Sequence, residues 1–321
     1  MSRIRPLVMR LGLALLAVVL TVGALELIFR SFVPSSTHHL MYRPSDDPQL
    51  RVELIPGADF EFEGVAVPIP ATRVLVSSQG LRDDTVEIPK PAGVKRLLCV
   101  GDSTTFGWGV QAEEAFCQRL QGFLPGWETI NLGVPGYNTM QEVRRLEVVG
   151  IPLEPDLVVL LFDGNDLQPP IVYGGSGPST WLLDRSALVR WVAARLKTTG
   201  DEEQGQDEGR DHAGAGPDDP FADWDGEAEV LKAFARLDQL RAREGFKLLV
   251  LLPSDDENRA LESMLKARGI ANENIRHALR GTQPGDEMMI PDDGHPNAQG
   301  HERIAKAIAT LLHQRGLVGA D

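Results

Sequence analysis

The stretch Arg96-Leu97-Leu98-Cys99-Val100-Gly101-Asp102-Ser103-Thr104-Thr105-Phe106-Gly107 decides the reading of the fold. Residues Arg96 to Val100 form a short, largely apolar run of the kind that makes a buried strand. Gly101 stops the run. Asp102 and Ser103 are small polar residues suited to capping a helix that follows. A serine at such a strand-to-helix turn is exposed and lies beside unpaired backbone N–H groups. Those donors can hold an anion or a developing oxyanion. Ser103 becomes a nucleophile only if a base reaches it; otherwise it caps a helix.

Downstream the same grammar repeats. Strands are expected at Arg96–Val100, Thr129–Leu132, Leu157–Phe162 and Lys247–Leu252. Helices are expected around Glu113–Leu124, Thr139–Val149, Ala187–Leu196, Glu227–Arg243, Glu257–Arg268 and Asn297–Arg315. Apolar strands separated by helices imply an α/β fold with a parallel sheet covered on both faces. Ligands then sit beyond the carboxyl ends of the strands. One break interrupts the alternation. Residues 198–225 are acidic, Gly-rich and nearly free of apolar side chains, which predicts a disordered surface insertion.

Upstream, Ser31 to Pro91 is rich in proline and polar residues, with β-like runs at Val52-Glu53-Leu54-Ile55 and Arg73-Val74-Leu75-Val76. It reads as a small β-rich lead-in that ends at Pro89-Lys90-Pro91-Ala92-Gly93. Before it, Arg3, Arg5 and Arg10 precede an apolar run from Leu11 to Leu25, with Leu27-Ile28-Phe29 beyond Glu26. Basic residues ahead of an apolar segment keep that end in the cytoplasm and send the rest across. A cleaved signal peptide, with Val22-Gly23-Ala24 as its site, competes with an uncleaved anchor in the inner membrane. The length of the apolar stretch favours the anchor. The expected division is therefore 1–30 for the transmembrane helix, 31–93 for the lead-in and 94–321 for the main domain.

Composition bounds the partners. The 321 residues are 42% hydrophobic and 24% charged, which suits a globular protein with a sizeable core. A net charge of -14 argues against a nucleic-acid partner. Few tryptophans and tyrosines leave no aromatic stacking platform in view. Cys99 and Cys117 belong to no metal pattern and read as small core residues, their pairing left open.

Four short motifs fall at the ends of the expected elements: Gly101-Asp102-Ser103, Asn131-Leu132-Gly133-Val134-Pro135-Gly136, Asp163-Gly164-Asn165-Asp166 and Asp292-Asp293-Gly294-His295-Pro296-Asn297. In a parallel sheet all four can converge on one edge. His295 would take the Ser103 proton and return it to a leaving group. Asp292, three residues ahead, would hold the imidazole tautomer. The Ser103 N–H, the Gly136 N–H and the Asn165 amide are candidate oxyanion donors. Taken singly, each motif has a plain alternative: a cap, a loop glycine, a turn asparagine, a surface histidine. Taken together in this order, they point to acyl transfer.

These motifs resemble those of the SGNH hydrolases, the GDSL esterases and lipases, over roughly Lys95 to the C-terminus. The resemblance implies a flavodoxin-like three-layer α/β/α fold. It implies Ser103, His295 and Asp292 as the triad, and Ser103, Gly136 and Asn165 as the oxyanion hole. Ser78-Gln79-Gly80-Leu81-Arg82 is similar to the lead-in of membrane-anchored bacterial members. Two departures stand out: Thr104 in place of leucine, and Asp163 where the third block usually begins with glycine. The expectation is an inner-membrane enzyme facing the periplasm, needing no cofactor or metal and acting on a small-molecule or polysaccharide ester. An O-acetyltransferase acting on an exported polysaccharide and a non-catalytic carbohydrate-binding or assembly protein are the alternatives.

Overall fold

The computed structural model of the chain describes residues 4–31, 38–62, 69–170, 186–189, 191–192, 223–252, 259–275, 288–291 and 293–319. The chain forms two compact units, Met1–His39 with Gly174–Asp207 and Leu40–Tyr173 with Glu208–Asp321.

In the first unit, helix α1 (Ile4–Arg30) is mostly apolar, with Arg5, Arg10, Glu26 and Arg30 as its charged residues, and leaves side chains such as Leu13, Val18 and Leu27 exposed. Its stretch Met9–Arg30 has a mean hydropathy of 2.5 and is long enough to cross a membrane. Of the expected helix Ala187–Leu196, residues 187–189 and 191–192 are described and helical. The expected insertion lies almost wholly outside the described residues.

The second unit opens with two small antiparallel pairs. Strand β1 (Tyr42–Pro44) pairs with β2 (Val52–Leu54), and β3 (Asp59–Phe62) pairs with β4 (Thr72–Leu75). Their inward residues, among them Met41, Val52, Leu54 and Val74, form one apolar cluster with Phe106, Val134 and Tyr137. The lead-in thus buries its apolar side on the loops that follow the first two strands of the main sheet.

That sheet begins with β5 (Lys95–Val100), followed by the one-turn helix α2 (Ser103–Phe106) and by α3 (Phe116–Gln121). Strand β6 (Trp127–Asn131), helix α4 (Thr139–Arg145) and strand β7 (Leu157–Leu161) come next. Helix α5 (Gly226–Glu244), strand β8 (Lys247–Leu252), helix α6 (Arg259–Ala267), strand β9 (Ala271–Asn274) and helix α7 (Ala298–Gln314) complete the fold. All neighbouring strands are parallel, in the order β6-β5-β7-β8-β9. This is the flavodoxin-like order, so the direction of winding reverses between β5 and β7.

Strand periodicity separates the two helical layers. Leu98, Val100, Val158, Leu160, Leu248 and Val250 face α5 residues Val230, Phe234 and Leu237. The alternate residues Leu97, Cys99, Leu157, Val159, Leu249 and Leu251 face α3 and α7 through Phe116, Cys117, Leu120, Ile304 and Ile308. Side chains on successive strand positions point to opposite faces, so one run of apolar residues feeds both cores.

Two features go beyond the sequence reading. Cys99 and Cys117 are disulfide-bonded, with Cα atoms 6.0 Å apart, because α3 packs directly on β5. The sheet also gains β9, whose polar Asn272, Glu273 and Asn274 gave no apolar run to read.

Candidate active site

The crevice between β5 and β7 is where such a sheet places its ligands. Ser103 follows β5 and Asn165 follows β7, so both stand at that reversal. The turn after β5 is tight. A Cβ on Gly101 would fall 2.1 Å from Thr105 Oγ1, so only glycine lets the chain turn there. Asp102 caps α2, its Oδ1 accepting from Thr104 N at 3.1 Å, as a capping carboxylate should. Ser103 is the first helical residue, and the first N–H groups of a helix have no acceptor within it.

The loop after β6 brings Gly136 to the same edge. Val134, Pro135, Gly136 and Tyr137 form a turn closed by Tyr137 N donating to Val134 O at 3.1 Å. Proline second and glycine third at φ 79° are the signature of a type II turn, whose third residue needs positive φ. Asn131 steadies the loop, donating to Thr105 O at 2.8 Å and accepting from Gly133 N at 2.9 Å. Gly133 is obligatory, since a Cβ there would lie 2.2 Å from Phe106 N. The lead-in braces the turn from outside. Tyr42 donates to Pro135 O at 3.2 Å, and Tyr137 donates to Val52 O.

His295 arrives from the opposite end of the chain. Residues 288–291 and 293–297 meet in a bridge: Ile290 N donates to His295 O and Asn297 N to Met288 O, each at 2.9 Å. Asn297 then caps α7, accepting from Gln299 N and Gly300 N. The result aims the imidazole at the Ser103 hydroxyl. His295 Nε2 is 2.8 Å from Ser103 Oγ, and His295 Nδ1 is 2.6 Å from Asp293 Oδ1. A proton on Nδ1, donated to the carboxylate, leaves the Nε2 lone pair facing the serine. The Asp293 side chain is 2% exposed and the imidazole 27%.

The carboxylate expected at Nδ1 was Asp292, which lies outside the described residues. The described partner is its neighbour, Asp293. Asp293 Oδ1 also accepts from His295 N at 3.2 Å, a local turn that brings side chains two residues apart together. Burial pulls the imidazole pKa down, but the Asp293 hydrogen bond and the charges of Asp293, Asp102 and Asp163 outweigh it. His295 is held above the ordinary imidazole value.

Asn165 sits in a short 3-10 turn after β7 and donates from Nδ2 to Asp102 Oδ2 at 2.8 Å. The amide carries a second N–H besides the one this bond engages. The same Asp102 oxygen lies 3.2 Å from Ser103 Oγ, so one carboxylate meets both the Ser103 hydroxyl and the Asn165 amide. Behind them stand Glu142 and Asp166, both buried. Burial and then neighbouring carboxylates push both carboxyls well above the usual carboxylate range.

One ring stands beside this site, backed by a second in the lead-in core. Trp108 lies 6.1 Å from the His295 ring and 4.4 Å from that of Phe62 in β3, centroid to centroid. Among the described residues no cluster of side chains is arranged to hold a metal ion.

The chain was compared with known proteins. The sequence profile of the GDSL-like Lipase/Acylhydrolase family matches residues 99–303. No curated protein sequence gives a significant match. Several solved structures are similar. TesA is 19% identical, with 68% of this chain and 99% of that chain covered and a TM-score of 0.44. A lipolytic protein of the G-D-S-L family from Veillonella parvula is 14% identical over 69% of this chain and 100% of its own, with a TM-score of 0.44. An acetyl xylan esterase, AlAXEase, is 16% identical over 68% and 99%, with a TM-score of 0.41.

Proposed function

The chain belongs to the GDSL-like lipase/acylhydrolase family and is an ester-hydrolysing enzyme; from that premise we propose that it is a membrane-anchored serine esterase working outside the cytoplasm through an acyl-Ser103 intermediate. One observation carries the reading: Ser103 Oγ, His295 and Asp293 form a continuous relay at 2.8 and 2.6 Å.

In this reading His295 Nε2 takes the Ser103 proton as Oγ attacks the ester carbonyl carbon. The carbonyl π electrons move to oxygen, and the oxyanion takes hydrogen bonds from Ser103 N–H, Gly136 N–H and Asn165 Nδ2. Asp293 stabilises the imidazolium that forms. The tetrahedral adduct collapses, the C–O bond to the alcohol breaks, and His295 gives its proton to the departing alkoxide. A water molecule repeats the sequence on the acyl-enzyme and releases the carboxylic acid. No cofactor enters any step.

Location follows from two separate features. The Arg3, Arg5 and Arg10 asymmetry sends everything after α1 across the inner membrane. The Cys99–Cys117 disulfide supports the same side, because such bonds persist in oxidising compartments. The alcohol is then part of an exported sugar or lipid. A fluorophosphonate probe tests the core of the proposal. It should label the intact chain on the peptide containing Ser103, and Ser103→Ala should abolish labelling. Labelling that survives this substitution contradicts the assignment.

A further inference from the structure

The span Met9–Arg30 has 22 residues. At 1.5 Å per residue this is about 33 Å of helix, against a hydrocarbon core of roughly 30 Å. Glu26 therefore sits about one turn inside the end of the apolar span. A carboxylate at that depth is costly unless it is paired and hydrogen-bonded. Glu26 meets this requirement from two directions. Arg30 Nε donates to Oε1 at 2.8 Å from its own helix. Ser186 Oγ, Ala187 N and Leu188 N donate at 2.7, 3.0 and 3.2 Å from a segment 160 residues further on. Ser186 also caps that segment, accepting from Val189 N at 3.2 Å. One turn beyond, Trp191 packs on Phe29 with ring centroids 4.9 Å apart.

We infer that the segment beginning at Ser186 is a second membrane contact, seated against the end of α1 at the headgroup boundary with Trp191 and Val192 meeting lipid. The inference rests on reading α1 as a retained anchor. Groups that donate to Glu26 must share its depth, which fixes Ser186 to Leu188 at the boundary. Tryptophan is the side chain favoured at that level. Val192 is 41% exposed, as are the neighbouring anchor residues Leu25 at 38% and Ile28 at 55%, so apolar surface is present on both pieces. In the sequence, Arg185, Arg190 and Arg195 recur at five-residue intervals, a basic supply suited to anionic headgroups. The occupant is an anionic phospholipid surface.

The full chain, reconstituted in phosphatidylethanolamine–phosphatidylglycerol vesicles, provides the test. Intact mass establishes first that residues 1–30 are retained, and hydrolysis of a soluble ester establishes that the protein is folded. Lipids brominated near the headgroup should quench a tryptophan component that Trp191→Phe lacks. Aqueous iodide should not reach that component in the parent chain and should reach it in Glu26→Ala. A chain cleaved at Val22-Gly23-Ala24 overturns the anchor and this inference together. An intact, active chain whose Trp191 is quenched by iodide and spared by brominated lipid overturns this inference alone, as does lipid quenching indifferent to Glu26→Ala.

Discussion

Asn165 donates to Asp102 over 2.8 Å, which locks the turn after β7 to the turn after β5 at the point where the sheet reverses its winding. The contact engages one amide N–H of Asn165, and in the proposed mechanism the other meets the oxyanion. Asn165→Ala removes an oxyanion donor while leaving the nucleophile in place. Turnover should fall on the order of 10²–10³, with KM little changed, because the lost bond is made mainly in the transition state. Steady-state kinetics on a short p-nitrophenyl ester checks this. A change confined to KM would mean that Asn165 binds substrate uniformly.

The carboxylate assignment is separately testable. Asp293→Asn should lower turnover on the order of 10³–10⁴, because an amide at Nδ1 favours the wrong imidazole tautomer. Asp292→Asn should leave turnover within a few-fold of the parent. Circular dichroism and turnover, measured on both variants, decide the matter. The reverse ranking would return the role to Asp292.

The pH profile follows from the sign of the His295 shift. The base works only when neutral, and its pKa is held above the ordinary 6.5. The acid limb of kcat/KM should therefore have its midpoint above that value. Asp293→Asn removes the hydrogen bond and charge that raise it, so the residual activity should titrate at lower pH. The same shift gives the protonated imidazole a stabilising role that is full at low pH and lost as pH rises through its folded value. A midpoint below 6.5 in the parent would contradict the hydrogen-bonded pair.

Much of this arrangement was legible because its chemistry sits in short motifs at element ends. The Arg96–Val100 run and Gly101-Asp102-Ser103 announce a strand, a stop and a cap, and the protein folds that way. Gly136, Asn165 and His295 stood out as candidates for the same reason, each lying in a short motif at the end of an expected element. What escaped depends on side-chain turns and pairings that no run of residue types announces. The three-residue spacing to His295 pointed to Asp292, whereas a two-residue side-chain turn places Asp293 against Nδ1. The polar edge strand β9 carries no apolar run and is defined only by pairing with β8. The brace from Tyr42 to Pro135 spans 93 residues, and nothing local marks either partner. The Cys99–Cys117 bond likewise needs the packing of α3 on β5 before it can be seen.

The most direct test of the relay is the turnover of Ser103→Ala, His295→Ala and the double variant on one short ester. Two groups acting as a unit are lost together when either is removed. Each single variant should retain only the background from the oxyanion donors and binding, and the double variant should be hardly slower than either. Losses that multiply in the double variant, or a Ser103→Ala protein with parental turnover, would contradict the account.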